Sequence, residues 1–247
     1  MKGLRLDERL VDEGLVESRT RAQGLIRAGR VLVDDVPVDK PGTRVRSESA
    51  VRVRGEDRRF VSRGGEKLAG ALADLGLGPA GRSCLDIGAS TGGFSDCLLQ
   101  AGARHVVAVD VGYGQLHERL RQDDRVTVLE RTDARSLTAE GLPGPIELVT
   151  ADVSFISLRL LLPQLARVAP AAEWLLMVKP QFEVGRERVG KGGVVRDDSL
   201  RAEAVTGVRA CAEELGWEAI GEADSRLAGP KGNREIFLWM RPRVADC

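Results

Sequence analysis

Residues 82–94 read RSCLDIGASTGGF, and this stretch decides the fold. Its first half is a short apolar run bounded by charge and glycine, the pattern of a strand buried on both faces. Its second half turns through glycine and re-emerges as GGFSDCLLQAG, where the apolar spacing is helical. Strand, glycine-rich turn and helix make the opening of a βαβ unit. Further along, HVVAVDVG (105–112), VTVLERTD (126–133), IELVTADVS (146–154) and EWLLMVKP (173–180) are apolar runs with helical patterns between them. Such alternation implies the α/β class, with a doubly wound, mostly parallel sheet. After a helical stretch at 197–216, WEAIGEADSR and REIFLWMRP are close enough to pair antiparallel.

The N-terminal side is different. Leu6, Leu10 and Val11 line one helical face, and Ala22, Leu25 and Ile26 line a second. Gly14 and Ser18 punctuate between them, Ser18 as an N-cap. Short alternating runs follow, with turns expected at Asp34-Asp35 and Pro41-Gly42. The expected organisation is a small α+β domain at 1–58, a connector at 59–63 and an α/β domain at 64–247. Charge divides along the same line. Residues 1–63 carry 15 basic and 11 acidic side chains, a net of +4, whereas the remainder carries 22 and 26, a net of −4. Arg5 near the start, and Arg19, Arg21, Arg27 and Arg30 on or beside the second helix, suit a grip on phosphates. A solvated helix face has the same appearance.

The glycine-rich turn is a ligand site in outline. Gly88, Gly92 and Gly93 let backbone approach a ligand, and Ala89, Ser90, Thr91 and Phe94 complete the loop into the helix N-terminus. Asp86 inside the strand reads as loop organiser or ligand neighbour. Asp110, at the end of the second strand, stands where an acid binds ribose hydroxyls. Asp133 reads equally as a contact to an adenine amino group or as a turn cap. Tyr113 reads equally as an adenine neighbour or a surface aromatic. Turn and acid together fit a nicotinamide dinucleotide or S-adenosylmethionine, although the spacing GxxxGG leans away from the dinucleotide fingerprint.

Four charged residues stand beside or inside apolar runs: Lys67 in SRGGEKL, Asp152 in ADVSFIS, Lys179 in MVKPQFE and Glu235 in GNREIFL. Ionised groups there are costly unless paired. Two lysines and two carboxylates that converge neutralise one another and leave one amine to take a proton from a hydroxyl. Lys179 is the expected acceptor, because burial near a second lysine disfavours its charged form. Lys67 would hold the hydroxyl in line, and Asp152 and Glu235 would orient the lysines. No metal is needed for such a transfer. Cys84, Cys97, Cys211 and Cys247 lack paired metal spacing, and only His105 and His117 accompany them, so neither zinc site nor disulfide framework is expected. The charged N-terminus lacks a signal-peptide core and no apolar run approaches a membrane span, which makes a cytoplasmic protein the expectation.

The run SRTRAQGLIRAGRVLVDD, with the order of elements around it, resembles the RNA-binding module named after ribosomal protein S-four. SRGGEKL resembles the start of the FtsJ/RrmJ-type RNA 2′-O-methyltransferase domain, and its Lys–Asp–Lys–Glu set matches Lys67, Asp152, Lys179 and Glu235. With DVGYGQL, VLERTDAR, VKPQFEVG and GGVVRD included, nearly the whole chain is similar to the TlyA family of ribosomal RNA 2′-O-methyltransferases, sometimes labelled haemolysins. That resemblance implies a Rossmann-like class I methyltransferase fold, S-adenosylmethionine as cofactor, and a ribose in ribosomal RNA as acceptor. It implies cytidine as the nucleotide, in the large and in some members also the small subunit. Where the family commonly has a linker Trp, this chain has Phe60. A non-catalytic RNA-binding factor, a membrane-lytic protein and a nicotinamide-dependent oxidoreductase are the competing readings. The intact tetrad, the lack of a strongly amphipathic basic helix and the N-terminal module argue against them in turn. Nothing in the sequence demands more than a monomer.

Overall fold

The N-terminal apolar faces fold as their spacing dictates, into β1 (Leu4–Arg5), α1 (Leu6–Asp12), α2 (Arg19–Arg27), β2 (Val31–Val33), β3 (Val36–Val38), β4 (Arg44–Val45) and β5 (Val51–Val53). The computed structural model describes residues 3–13, 15–16, 18–46, 48–54, 59–229 and 232–243. Gly14, residues 55–58 of the expected domain edge and Cys247 therefore lie outside the described residues. The chain divides into two units, Met1–Arg58 and Arg59–Cys247.

In the first unit Leu6, Leu10, Ala22, Ile26, Val31 and Val45 form the core. The Ser18 hydroxyl caps α2 by accepting from the Arg21 N–H. Asp34 and Asp35 both take left-handed backbone (φ 50° and 67°), which is the two-residue hairpin turn between β2 and β3. One polar group is buried beneath these helices. Asp7 is fully buried and accepts from Arg5 Nε at 3.0 Å, Arg19 Nε at 3.0 Å and Gln23 Nε2 at 2.8 Å. The Arg5 hydrogen bond, ahead of those from Gln23 and Arg19, holds its carboxyl well below the usual range.

The second unit contains α3 (Arg63–Leu75), β6 (Ser83–Ile87), α4 (Gly93–Gln100), β7 (His105–Val109), α5 (Glu118–Arg121), β8 (Val126–Leu129), β9 (Leu148–Ala151), α6 (Leu162–Val168), β10 (Glu173–Val178), α7 (Pro180–Glu183), α8 (Asp198–Glu214), β11 (Trp217–Asp224) and β12 (Ile236–Pro242). Its sheet runs β11-β12-β10-β9-β6-β7-β8, and only β12 is antiparallel to both of its neighbours. Both faces are buried. Along β10, Trp174, Leu176 and Val178 enter one core while Leu175 and Met177 enter the other. Trp174 stacks on Trp217 at 3.9 Å between ring centroids.

Residues 59–63, expected as a connector, belong to this unit. Phe60 is buried in its core, and a Cβ at Gly65 would fall 2.3 Å from the Phe60 side chain. Buried Asp96 accepts the Val61 N–H at 2.8 Å and pairs with Arg119 at 2.6 Å. An aromatic among charged residues reads as a linker in sequence. Here it is a core residue because α3 offers glycine beneath it.

Asp7→Ala should loosen the first unit by about 2 kcal/mol, since it strips a buried, multiply bonded carboxylate from two arginines. The folded carboxyl titrates below its unfolded value of about 3.9, so its contribution is present above that pH and is lost as pH falls through the acid range. Hydrogen exchange at α1 and α2 in the full chain measures both effects. Unchanged protection in the variant would contradict them.

Candidate active site

Register aligns the functional charges along one edge of the sheet. Ile87 pairs with both Val109 and Ala151, Ala151 with Leu176, and Val178 with Ile236. Gly88, Asp110, Asp152, Lys179 and Glu235 each lie one residue beyond these paired positions, and continuing the β10–β12 register sets Lys179 opposite Glu235. This is the carboxyl edge of a parallel sheet, where the strand order reverses about β6 and ligands bind.

A cleft of about 730 Å³ opens there, lined among others by Gly88, Ser90, Asp110, Asp133, Asp152 and Val153. Gly88 has φ 82°, and a Cβ on it would fall 2.6 Å from the Asp152 carbonyl oxygen, so the turn requires glycine. Asp110 is fixed by backbone: one oxygen accepts the Ser90 N–H at 2.8 Å and the other the Gly112 N–H at 2.7 Å. Asp133 lies on the cleft wall and also caps the short helix at Ala134–Ser136, accepting the Arg135 N–H at 2.9 Å. The Arg135 guanidinium beside it holds its carboxyl at about 2. The turn-cap reading is thus observed, and the same side chain borders the cleft.

The other expected loop residues stand behind the wall. Ala89, Gly93 and Phe94 are buried, with Phe94 against Phe237 at 6.0 Å. A Cβ at Gly92 would strike Leu120, and one at Gly93 would strike Ser62. The Thr91 carbonyl accepts the His117 N–H at 3.2 Å. Asp86 points into the core and not into the cleft, where it accepts from Ser95 Oγ at 2.6 Å and Thr150 Oγ1 at 3.2 Å. It ties β6 to α4 and β9, so of its two expected roles the structure assigns loop organiser. Burial, with the Asp152 charge adding, pushes its carboxyl up to about 7. Tyr113 is exposed, with the Arg131 guanidinium 4.1 Å over its ring.

The four charged residues form two ion pairs. Lys67, on the buried face of α3, bonds Glu235, and both side chains are almost wholly enclosed. Lys179 pairs with Asp152 and donates to Ser154 Oγ at 3.0 Å. The lysines were expected to act on each other, but each is matched to its own carboxylate, which removes most of the cost of burying four charges. Lys179 and Glu235 also line a second cavity of about 630 Å³, together with Gln181, Phe182 and Asn233. Residues 154–157 border both cavities. The Asp152–Lys179 pair thus stands where the two cavities meet.

Sequence reading missed Phe155. It is 91% exposed, has φ 68°, and its ring is tilted at 52° to that of Phe182, 5.4 Å between centroids. That backbone is uncommon for a bulky non-glycine residue. The available signal was its place three residues past the strand-ending Asp152, outside the apolar run. The loop after α7 carries Arg186, Arg188 and Lys191. There Arg188 is engaged by Glu203. Among the described residues no His, Cys, Asp and Glu group could hold a metal, and no helix is long and apolar enough to cross a membrane. Cys84 and Cys97 are buried, which pushes each thiol up to about 12.

A seven-stranded, mostly parallel sheet with a late antiparallel strand and a glycine-rich first turn defines a Rossmann-like methyltransferase fold. Comparison with known proteins agrees: the FtsJ-like methyltransferase profile matches residues 60–242 and the S4 domain profile residues 4–51. A Mycobacterium tuberculosis protein named 16S/23S rRNA (cytidine-2′-O)-methyltransferase TlyA is 53% identical over 242 residues, covering 97% of this chain and 90% of its own. A Campylobacter jejuni protein named 23S rRNA (cytidine-2′-O)-methyltransferase TlyA is 39% identical over 181 residues, 73% of this chain and 70% of its own. A solved structure from Streptococcus thermophilus that carries a hemolysin label superimposes with a TM-score of 0.78 at 39% identity, covering 98% of this chain and 89% of that one. The chain belongs to the FtsJ-like methyltransferase family, in its TlyA branch, where the methyltransferase domain follows an S4 domain.

The buried Asp86 gives a pH signature. As an acid whose folded value is raised to about 7, it keeps a proton that the unfolded chain releases above about pH 4, so its contribution weakens as pH rises between the two. Asp86→Asn keeps one acceptor oxygen for one of the two hydroxyls, can donate its amide N–H to the oxygen of the other, and carries no charge. Its unfolding free energy relative to wild type should climb from about pH 5 to pH 7, by on the order of 1 kcal/mol or more, and then level off. A difference that does not vary with pH would refute this.

Proposed function

We propose that the chain transfers a methyl group from S-adenosylmethionine to the 2′-hydroxyl of a cytidine ribose in ribosomal RNA. The observation that carries this reading is the Asp152–Lys179 pair at the junction of the two cavities. The first cleft fits the cofactor on its own chemistry. Gly88 admits a ligand where a Cβ has no room, and Asp110 has both oxygens pinned by backbone so that its remaining lone pairs face ribose hydroxyls. Asp133 offers an acceptor for an adenine amine. When bound, S-adenosylmethionine supplies an already activated methyl, so the protein has to position a hydroxyl and remove its proton.

Lys179 takes that proton. Its ammonium is held by Asp152 and Ser154, so Nζ passes a proton to Asp152 and receives the one from the hydroxyl. Lys67 was expected to hold the hydroxyl, but it lines neither cavity; it is buried against Glu235 and fixes that carboxylate on the wall of the second cavity, while exposed Phe155 offers its face to a base turned out of its stack. The first unit contributes the RNA grip. Arg5 and Arg19 are engaged by Asp7, and Arg30 donates to the Arg54 carbonyl at 2.9 Å. The side chains of Arg21 and Arg27 have no partner among the described residues, which leaves them available for phosphate. The near full-length likeness to a relative named for both 16S and 23S rRNA favours action on both subunits.

Lys179→Ala and Asp152→Ala should each lower single-turnover methyl transfer to ribosomal subunits by about 10²–10⁴-fold, with cofactor affinity held within a few fold. Asp110→Ala should do the reverse, costing roughly 1–3 kcal/mol of S-adenosylmethionine binding by calorimetry. Near-normal transfer by the Lys179 variant would overturn the assignment of the proton acceptor.

Arg21→Ala combined with Arg27→Ala should flatten the salt dependence of RNA binding, by about one counterion per lost phosphate contact, and leave the melting temperature unchanged. Arg19→Ala should instead lower the melting temperature, because it removes one of the three side chains that donate to buried Asp7. An unaltered salt slope in the double variant would move the RNA grip elsewhere.

A further inference from the structure

Register fixes where Asp152 and Lys179 leave the sheet, but not how the chain beyond each of them is held. A third carboxylate joins the two. Glu183 ends α7, four residues after Lys179, and its side chain is 2% exposed. One oxygen accepts the Leu158 N–H at 2.7 Å and the other the Ser157 hydroxyl at 2.6 Å. Arg159 reaches the same carboxylate at 3.4 Å and donates to the Glu183 carbonyl at 2.9 Å. Ser157 and Leu158 close the loop that begins at Asp152 and carries Ser154 and Phe155. The loop is therefore clamped at its far end by Glu183 and at its near end by Lys179, both from the segment that follows β10.

Glu183 lines neither the cofactor cleft nor the acceptor cavity, so it does not touch the reacting atoms. Its burial is costly, as the upward push on its carboxyl records. The Ser157, Leu158 and Arg159 donors offset that cost only because the loop is folded as it is. A packing role alone would be met by an apolar side chain of similar size.

We propose that Glu183 is a positioning residue for the transfer reaction. It locks the 152–158 loop to α7, and so sets the distance between Asp152 and Lys179 and the placement of Phe155 above the acceptor cavity. This rests on the function proposed above. Misplacement of a reacting pair by about 1 Å costs on the order of 10²-fold in rate, so Glu183→Ala should lower the single-turnover rate about 10- to 100-fold. KM for ribosomal subunits should stay within a few fold and the melting temperature within a few degrees. Glu183→Gln should recover most of the rate, because its amide oxygen can accept the Leu158 N–H while its amide nitrogen donates to Ser157 Oγ. Ser157→Ala should reproduce part of the Glu183→Ala loss, and the two together should cost less than the sum of their separate effects.

The measurements are rates on full-length protein with labelled S-adenosylmethionine and purified subunits, beside thermal melts and cofactor calorimetry. Wild-type rate in Glu183→Ala, while Lys179→Ala is inactive, would overturn the positioning role and leave the proposed reaction standing. A Glu183→Gln variant as inactive as Lys179→Ala would also overturn it, by making the carboxylate itself a proton carrier. A rate loss that only tracks the folded fraction would reduce Glu183 to a structural residue. Full activity in Lys179→Ala would instead contradict the reaction from which the proposal starts.

Discussion

The structure depends on one alignment. β6, β7 and β9 run parallel and end in register, and parallel β10 continues two residues past β9, so the residue after each strand reaches the same edge. β12 returns antiparallel and brings Glu235 to that edge from the opposite direction. Shifting any of these strands by one residue would turn its charged residue toward the other face and send its apolar set out of the core. The burial that stabilises the sheet and the convergence of the site are therefore the same constraint. Trp174, Leu176 and Val178 hold β10 in place, and Lys179 follows from them.

Charge at that edge is tolerated through pairing. Lys67 with Glu235 and Lys179 with Asp152 form two neutral couples, one more enclosed than the other. The enclosed pair is suited to fixed geometry, and the pair at the junction of the cavities to moving a proton. The same principle recurs away from the chemistry: Asp7 is surrounded by donors in the first unit, and Asp96 secures the start of the second. Asp86 is the exception among the buried carboxylates. Among the described residues hydroxyls are its only hydrogen-bonding side chains; burial raises its carboxyl, and those hydroxyls offset only part of the rise.

The strands, the helices and the convergence of Lys67, Asp152, Lys179 and Glu235 were legible because burial leaves a period in the sequence and a charge interrupts it. Contacts that depend on the far side of a loop were not. Asp86, Ala89, Gly92, Gly93 and Phe94 belong to the glycine-rich motif, yet only the structure separates the residues on the cleft wall from those behind it. Val61 and Asp96 are 35 positions apart and meet where the start of this unit packs on α4, which no local pattern announces. Phe155 reads as one more apolar residue until its backbone turns it outward. The basic residues of α2 illustrate a further limit: sequence counts arginines, but Asp7 decides which of them are already engaged.

The central claim is that this edge removes the proton of a ribose hydroxyl beside a methyl donor. Its most direct measurement is the position of the transferred methyl. Ribosomal subunits lacking the modification would be incubated with the full chain and labelled S-adenosylmethionine, and the RNA digested to nucleosides and resolved by mass spectrometry. The account predicts label in 2′-O-methylcytidine and its loss with Lys179→Ala. Label on a base, or on ribose with equal yield from the Lys179 variant, would contradict it.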